Sequence, residues 1–188
     1  LSRISSGLRV TRAADDAAGM AVATNLSTQA RSGRQAMRNS NDGISLIQTA
    51  EAASKEVLSI LDRMRELAVQ SASETLDDGE RLYIDDEFEQ LSAEVERIAQ
   101  ATEFNDIALS DGTRSSLTVQ VGVTSGTESE VSITLGDLTS STLGVGTGDV
   151  DLTGATAAQT AIDTIDTAID SVNSIRADYG SVQNRLDS

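Results

Sequence analysis

The sequence predicts a mostly α-helical protein, an elongated antiparallel rod of coiled-coil helices with one small β-hairpin. Three observations support this fold class. The 188 residues contain no proline, which would break helix interiors. They contain only four aromatic residues, fewer than a compact core of this size usually holds. Apolar residues recur at alternating steps of three and four along long segments, which is the spacing of a coiled-coil face.

The first predicted helix occupies the N-terminal region, residues 1–72. Its alanine-rich part carries a seam of small or apolar residues, namely Val22, Leu26, Gly33, Ala36 and Ser40. From Ile44 onward the heptad pattern becomes explicit, with Ile47, Ala50, Ser54, Val57, Leu61, Met64, Ala68 and Ser71. Leu58 and Leu67 widen this face, which predicts contact with more than one neighbouring helix.

The length of this helix predicts a rod. If residues 16–72 are helical, the arm is roughly 85 Å long at ~1.5 Å per residue. A compact globule of the same chain length would be about 40 Å across. The whole chain, residues 1–188, is therefore predicted to form one elongated domain.

A second helix is predicted within residues 73–106. The stretch SETLDDGE at 73–80 interrupts the pattern and predicts a loop. The heptad then resumes with Ile84, Phe88, Leu91, Val95, Ile98 and Thr102, opposite a strongly acidic face.

The last predicted helix occupies residues 155–188 and begins near Ala155. Its apolar seam is assigned to Ile162, Ile165, Ile169, Val172, Ile175, Tyr179, Val182 and Leu186. Two successive steps of three, at Ile169, Val172 and Ile175, predict a stammer, which locally overwinds a coiled coil.

Residues 107–154 differ from the predicted helices in composition and in the spacing of their apolar residues. Residues 117–121 and 131–135 alternate apolar and polar side chains, and Gly122–Glu130 lies between them. This arrangement predicts a β-hairpin with a long turn. Residues 136–154 form a connection rich in Gly, Ser and Thr.

Composition excludes several classes of function. The chain has neither Cys nor His, so it lacks thiolate zinc sites, cysteine nucleophiles and histidine-dependent catalysis. A net charge of −16 argues against nucleic-acid binding, and no apolar run is long enough to span a bilayer. We therefore expect no enzymatic activity, no cofactor and no membrane partner. A mildly basic segment at 1–50 followed by acidic residues is compatible with head-to-tail self-assembly, or simply with solvated helix faces.

Short motifs that could hold a ligand are weak. GVGTGD at 144–149 lacks the lysine of a phosphate-binding loop, so it is predicted to be a turn. Asp149 and Asp151 lack the remaining ligands of a calcium loop. The carboxylates Asp163, Asp166 and Asp170 share one helix face and are predicted to be solvated. No metal site is predicted.

An ordered set of motifs resembles the helical core of bacterial flagellin. The matching segments are SSGLRV (5–10), DDAAGMA (15–21), RNSNDGIS (38–45), IQTAE (47–51), RELAVQSA (65–72), TEFND (102–106), VQVG (119–122) and RADYGSVQNRLDS (176–188). Each motif is weak alone, but their order along the chain is specific.

The resemblance implies a secreted structural subunit that self-assembles into the extracellular filament of the bacterial flagellum for motility. Relative to the family pattern, we expect the sequence to lack the two terminal helices of the filament core, and residues 136–154 are too short for a large outer domain. An elongated monomer is the expected state of such a fragment.

The resemblance also implies recognition by Toll-like receptor 5 of vertebrate hosts. The residues that match the family's receptor and subunit interface are Arg63, Leu67 and Glu87. Arg63 and Leu67 are four residues apart, so both are expected on one outward face. The alternative for Arg63 and Glu87 is a solvated or filament-packing role. Two rival functions are a hook–filament junction protein, with similar ends, and a helical cell-surface adhesin, which would require exposed aromatic residues.

Overall fold

A computed structural model describes residues 16–187 as three long helices and two small β-hairpins. The SSGLRV segment and the other predictions for residues 1–15 lie outside the described residues. The helices are α1 (Ala17–Ser71), α2 (Asp78–Ala101) and α3 (Ala155–Asp187), and the strands are β1 (Glu103–Phe104), β2 (Ile107–Ala108), β3 (Ser116–Gln120) and β4 (Glu130–Thr134). A single 3₁₀ turn covers Thr127–Ser129. The predicted mostly α-helical rod with a small hairpin is confirmed.

Helix α1 is the longest helix of the rod. Its 55 residues span about 83 Å at ~1.5 Å per residue. It begins at the N-cap Asp16, whose Oδ1 accepts a hydrogen bond of 2.9 Å from the amide of Gly19. Every member of the predicted heptad from Ile47 to Ser71 is fully buried. The N-terminal seam is only partly confirmed, because Ala36 is buried but Val22 and Leu26 are each 58% exposed.

Helix α2 starts earlier than the sequence pattern predicts. Asp77 is its N-cap and Glu80 its third residue, and they form a reciprocal capping box. The prediction that residues 73–80 are all loop is therefore wrong, because Asp78 and Gly79 belong to the first helical turn. Helix α2 runs antiparallel to α1, as the contact between Arg81 and Ser71 across the connecting turn shows.

Helix α3 packs antiparallel to α1 without a stammer. Its buried residues are Ala158, Ala161, Ile165, Ala168, Val172, Tyr179 and Leu186. These positions keep the regular heptad spacing, so the predicted stammer is wrong. Ala161 and Ala168 occupy core positions, whereas the adjacent Ile162 and Ile169 are only partly buried. The assigned seam is thus correct at Ile165, Val172, Tyr179 and Leu186 but wrong by one residue at Ile162 and Ile169, where the larger side chain was preferred to the neighbouring alanine.

Two hairpins follow α2. Strands β3 and β4 pair antiparallel, with Thr118 opposite Ser132, which confirms the predicted hairpin. A shorter hairpin of β1 and β2 precedes it and was not predicted. Its two-residue turn is Asn105–Asp106, and both residues have positive φ, 51° and 60°. Asn and Asp tolerate this left-handed conformation, which two-residue hairpins require.

The core has two clusters along the rod. One contains residues of all three helices, and the other joins α1 and α3 to β4, with Tyr179 and Ile133 fully buried. The Gly/Ser/Thr-rich connection contributes to the first cluster, because Leu138, Val145 and Leu152 are fully buried. The 136–154 segment therefore closes the helical bundle.

Glu96 ties this connection to α2 and is expected to make stability depend on pH. Its Oε2 accepts hydrogen bonds of 2.9 Å from both the amide and the hydroxyl of Ser140. The backbone hydrogen bond is the largest cause that lowers the pKa of Glu96 below its ordinary value, followed by the hydroxyl. A carboxyl with a lowered folded-state pKa stabilises the protein above its unfolded pKa of about 4.3, and this contribution is lost as pH falls through the folded value.

We therefore expect Glu96→Gln to reduce the melting temperature near pH 7, and the difference from wild type to shrink below about pH 4. Melting curves followed by circular dichroism from pH 3 to pH 7 test this. Glu89→Gln, on the exposed side of the same helix, is the matched control. A constant difference between Glu96→Gln and wild type across this range would contradict the assignment.

Candidate interaction surface

The structure brings Arg63 of α1 and Glu87 of α2 together. The Arg63 Nη2 atom lies 2.8 Å from Glu87 Oε1, and Nε donates to the same oxygen at 3.2 Å. Arg63 lies at the edge of the buried stripe that contains Leu61 and Met64, and Glu87 precedes the buried Phe88. Because the two helices are antiparallel neighbours, residues at these two edges face each other across the groove.

The pair is exposed and carries a third charge. The side chains of Arg63 and Glu87 are 49% and 47% exposed. Glu66, one helical turn after Arg63, accepts a hydrogen bond of 2.9 Å from Nη1. The pKa of the Arg63 guanidinium is raised above its ordinary value, first by the hydrogen bond to Glu87 and then by the one to Glu66. The result is a fixed, charged feature on rigid helices, suited to binding.

Leu67 differs from the prediction. Its side chain is only 1% exposed, so the expectation that it faces outward beside Arg63 is wrong. Leu67 belongs to the same core cluster as Ile84 and Phe88 of α2. Helix α2 covers this side of α1. The widened apolar face that the sequence predicts for α1 therefore has a second buried edge, which packs against α2. Leu67 is therefore a core residue, and of the three predicted site residues only Arg63 and Glu87 lie on the surface.

The opposite edge of α1 carries a similar pair. Arg65 Nε lies 2.6 Å from Asp166 Oδ1 of α3, and Nη2 donates to Oδ2 at 3.2 Å. The hydrogen bond from Arg65 lowers the pKa of Asp166. Asp166 is thus an inter-helix partner, which differs from the predicted purely solvated face, whereas Asp163 and Asp170 are exposed. Arg63 and Arg65, two residues apart, thus form ion pairs with α2 and α3 respectively.

Sequence reasoning missed Glu66 as a partner of Arg63, although the spacing of three residues on one helix was the available signal. Within residues 16–187, no group of three or more acidic residues is arranged to hold a metal ion. None of the helices in that range is long and apolar enough to cross a membrane.

Comparisons with known proteins agree on one family. Residues 1–115 match the family described as the bacterial flagellin N-terminal helical region. The chain is 48% identical over 187 residues to a flagellin of Halalkalibacterium halodurans, covering 100% of this chain and 68% of that protein. It is 37% identical over 199 residues to a flagellar filament 33 kDa core protein of Treponema phagedenis, covering 100% of this chain and 70% of that protein.

The fold is similar to that of solved structures. A crystal structure of Bacillus cereus flagellin has a TM-score of 0.69 and 34% sequence identity, over 80% of this chain and 85% of that one. A structure of FliC from Burkholderia pseudomallei, at 19% identity and a TM-score of 0.64, shares the fold over 76% of this chain and 99% of that one.

Proposed function

The chain belongs to the bacterial flagellin family, and from that premise we propose that it is a self-assembling structural subunit of the extracellular flagellar filament, acting in motility, with a surface recognised by Toll-like receptor 5. The relatives are named as flagellins and as filament core proteins. A structural subunit needs no catalytic centre.

The observation that best supports self-assembly is the uncovered N-terminal part of α1. Val22, Leu26 and Met37 are 58%, 58% and 68% exposed. Isolated helices depend on packing of an apolar face for most of their stability. A helix that projects with apolar residues uncovered therefore favours packing against further chains. Sedimentation and negative-stain electron microscopy of the full-length protein at rising concentration test this proposal, and an absence of polymers at every concentration would contradict it.

Recognition by Toll-like receptor 5 is the second part of the proposal. It is supported by the resemblance and by the exposed Arg63–Glu87 pair on adjoining helices. An arginine with a planar, orientable guanidinium is a common interface anchor. Leu67 enters the proposal only as a buried core residue, which a receptor could not contact directly.

We expect Arg63→Ala to weaken binding to the receptor ectodomain by about 5- to 150-fold, the range of a hot-spot residue. The melting temperature should change little, because the side chain is half exposed. Binding of the purified chain to the immobilised ectodomain, with melting curves alongside, measures both effects.

Two matched variants make the receptor experiment specific. Arg65→Ala removes an equally exposed ion pair on the opposite edge of α1 and should leave binding unchanged. Leu67→Ala should lower the melting temperature, because it removes buried apolar contacts. If wild type fails to bind, receptor recognition is not a property of this protein. If Arg63→Ala lowers binding and melting temperature together, its role is structural.

A further inference from the structure

Three arginines form a stripe on the outer face of α1. Arg31, Arg34 and Arg38 are spaced by three and four residues, so they lie on one side of the helix. All three are exposed, and the buried Ala36 and Gly43 lie on the opposite side. Within residues 16–187 none of the three is joined to a carboxylate, and Arg38 donates only to Gln35. We call Arg31, Arg34 and Arg38 the basic stripe.

The outer face of α2 has the complementary character. Leu82 and Tyr83 are 55% and 77% exposed, and Asp86 and Glu89 lie exposed beside them. Among the described residues, neither carboxylate forms an ion pair, whereas the neighbouring Glu87 is engaged by Arg63. We call Leu82, Tyr83, Asp86 and Glu89 the acidic aromatic face. An exposed tyrosine beside unpaired carboxylates suits arginine, which stacks on aromatic rings and binds carboxylates through two hydrogen bonds.

We propose that the basic stripe of one copy docks on the acidic aromatic face of a second copy of this chain. This inference rests on the proposed filament function and specifies a contact that would build it. Apolar side chains lie in both surfaces, since Met37 borders the basic stripe and is 68% exposed. The docked surfaces would therefore match in charge and also bury apolar area, the two features of a stable polar interface.

The two surfaces cannot meet within one subunit. Glu87 lies beside Arg63, so the acidic aromatic face is level with the Arg63 region of α1. Arg34 is about 29 residues from Arg63 along α1, which is about 43 Å at ~1.5 Å per residue. Parallel copies must therefore be offset by about 43 Å along the rod axis for this contact to form.

The direction of the second copy decides what kind of assembly results. Parallel copies with this offset leave one basic stripe and one acidic aromatic face free at the two ends, so the contact repeats as an open chain. Antiparallel copies would satisfy both contacts at once and close as a dimer. A filament subunit requires the parallel, repeating arrangement.

Charge exchange tests the contact. Polymerisation of the full-length protein is followed by sedimentation and negative-stain microscopy for wild type, Arg34→Glu, Asp86→Lys and the double variant. We expect each single reversal to raise the critical concentration by about 10-fold, because like charges are then apposed. The double variant should recover to within about 2-fold of wild type. Asp163→Lys, on the exposed side of α3, is the control for the same change in net charge.

Cross-linking locates the contact independently. The sequence has no cysteine, so an introduced pair gives disulfides of known origin. Chains carrying Gln35→Cys and Gln90→Cys are mixed and oxidised, and we expect a cross-linked heterodimer. Gln35→Cys mixed with Thr167→Cys, on the outer side of α3, is the control and should give much less.

The outcomes separate the contact from the filament function. Polymers that form equally well with all reversed charges would overturn the contact and leave the filament function intact. Association that stops at a closed dimer, or a cross-link yield equal to the control, would also overturn it. A full-length wild-type protein that never associates would overturn both proposals.

Discussion

Replacing Ile165 by Asp is expected to unfold most of the rod at physiological temperature. Ile165 is fully buried in α3, within the cluster that joins all three helices. The substitution removes a large apolar side chain and places a carboxyl where water cannot solvate it. We expect a loss of about 4 kcal/mol or more, against a typical total of about 5–15 kcal/mol. Thermal melting followed by circular dichroism at 222 nm measures the effect.

The neighbouring positions on α3 are the controls for this experiment. Ile169→Asp places the same group at a partly buried position, so its charge can reach water and its effect should be clearly smaller. Asp170→Ala changes an exposed residue and should alter the melting temperature little. Equal losses from Ile165→Asp and Ile169→Asp would show that the packed register of α3 is the one first assigned from the large side chains.

Replacing Arg81 by Ala is expected to be the most damaging change to the turn between α1 and α2. Arg81 is buried, and its guanidinium donates to three backbone carbonyls, at 3.1 Å to Ser71, 2.7 Å to Ser73 and 2.8 Å to Leu76. The last carbonyls of a helix lack partners within the helix, and here Arg81 of the next helix supplies a donor to the carbonyl of Ser71, the last residue of α1. Removal should cost about 2–4 kcal/mol, since hydrogen bonds to charged groups contribute more than neutral ones.

Two further variants define what Arg81 contributes. Arg81→Lys keeps the charge but cannot reach three carbonyls with a planar group, so it should recover only part of the lost stability. Arg97→Ala removes an arginine of the same helix that is 62% exposed and paired with Glu94, and it should change the melting temperature little. If Arg81→Lys melts at the wild-type temperature, the positive charge alone accounts for the contribution of Arg81 to stability. The planar shape of its guanidinium would then contribute nothing.

The helix caps and the hairpin turn show how local chemistry determines boundaries. Asp77 and Glu80 have the identity and spacing of a capping box, and Asn105–Asp106 has residues that accept positive φ. Both signals are present in the sequence. The start of α2 and the β1–β2 hairpin could thus be predicted from local residues alone.

The candidate surface was predictable only in part. Arg63 and Glu87 fall outside the heptad seams, and the structure accordingly places them half exposed and in contact. The position of Leu67 was not predictable in the same way, because four-residue spacing shows only that it shares a helix side with Arg63. Whether that side is exposed depends on where α2 crosses, and the spacing within α1 carries no information about that.

Local sequence patterns were sufficient to predict the long helices, the seam of α1 from Ile47 to Ser71 and the main hairpin. Each follows from a repeat within one segment, because the periods of helix and strand impose the spacing of apolar residues. Tertiary structure alone decided which apolar faces are covered: Val22 and Leu26 stay exposed, and Leu138 and Val145 of a loop-like segment enter the core. The physical reason is that burial is a property of two surfaces, so a helix can show which of its faces is apolar but cannot show what packs against it.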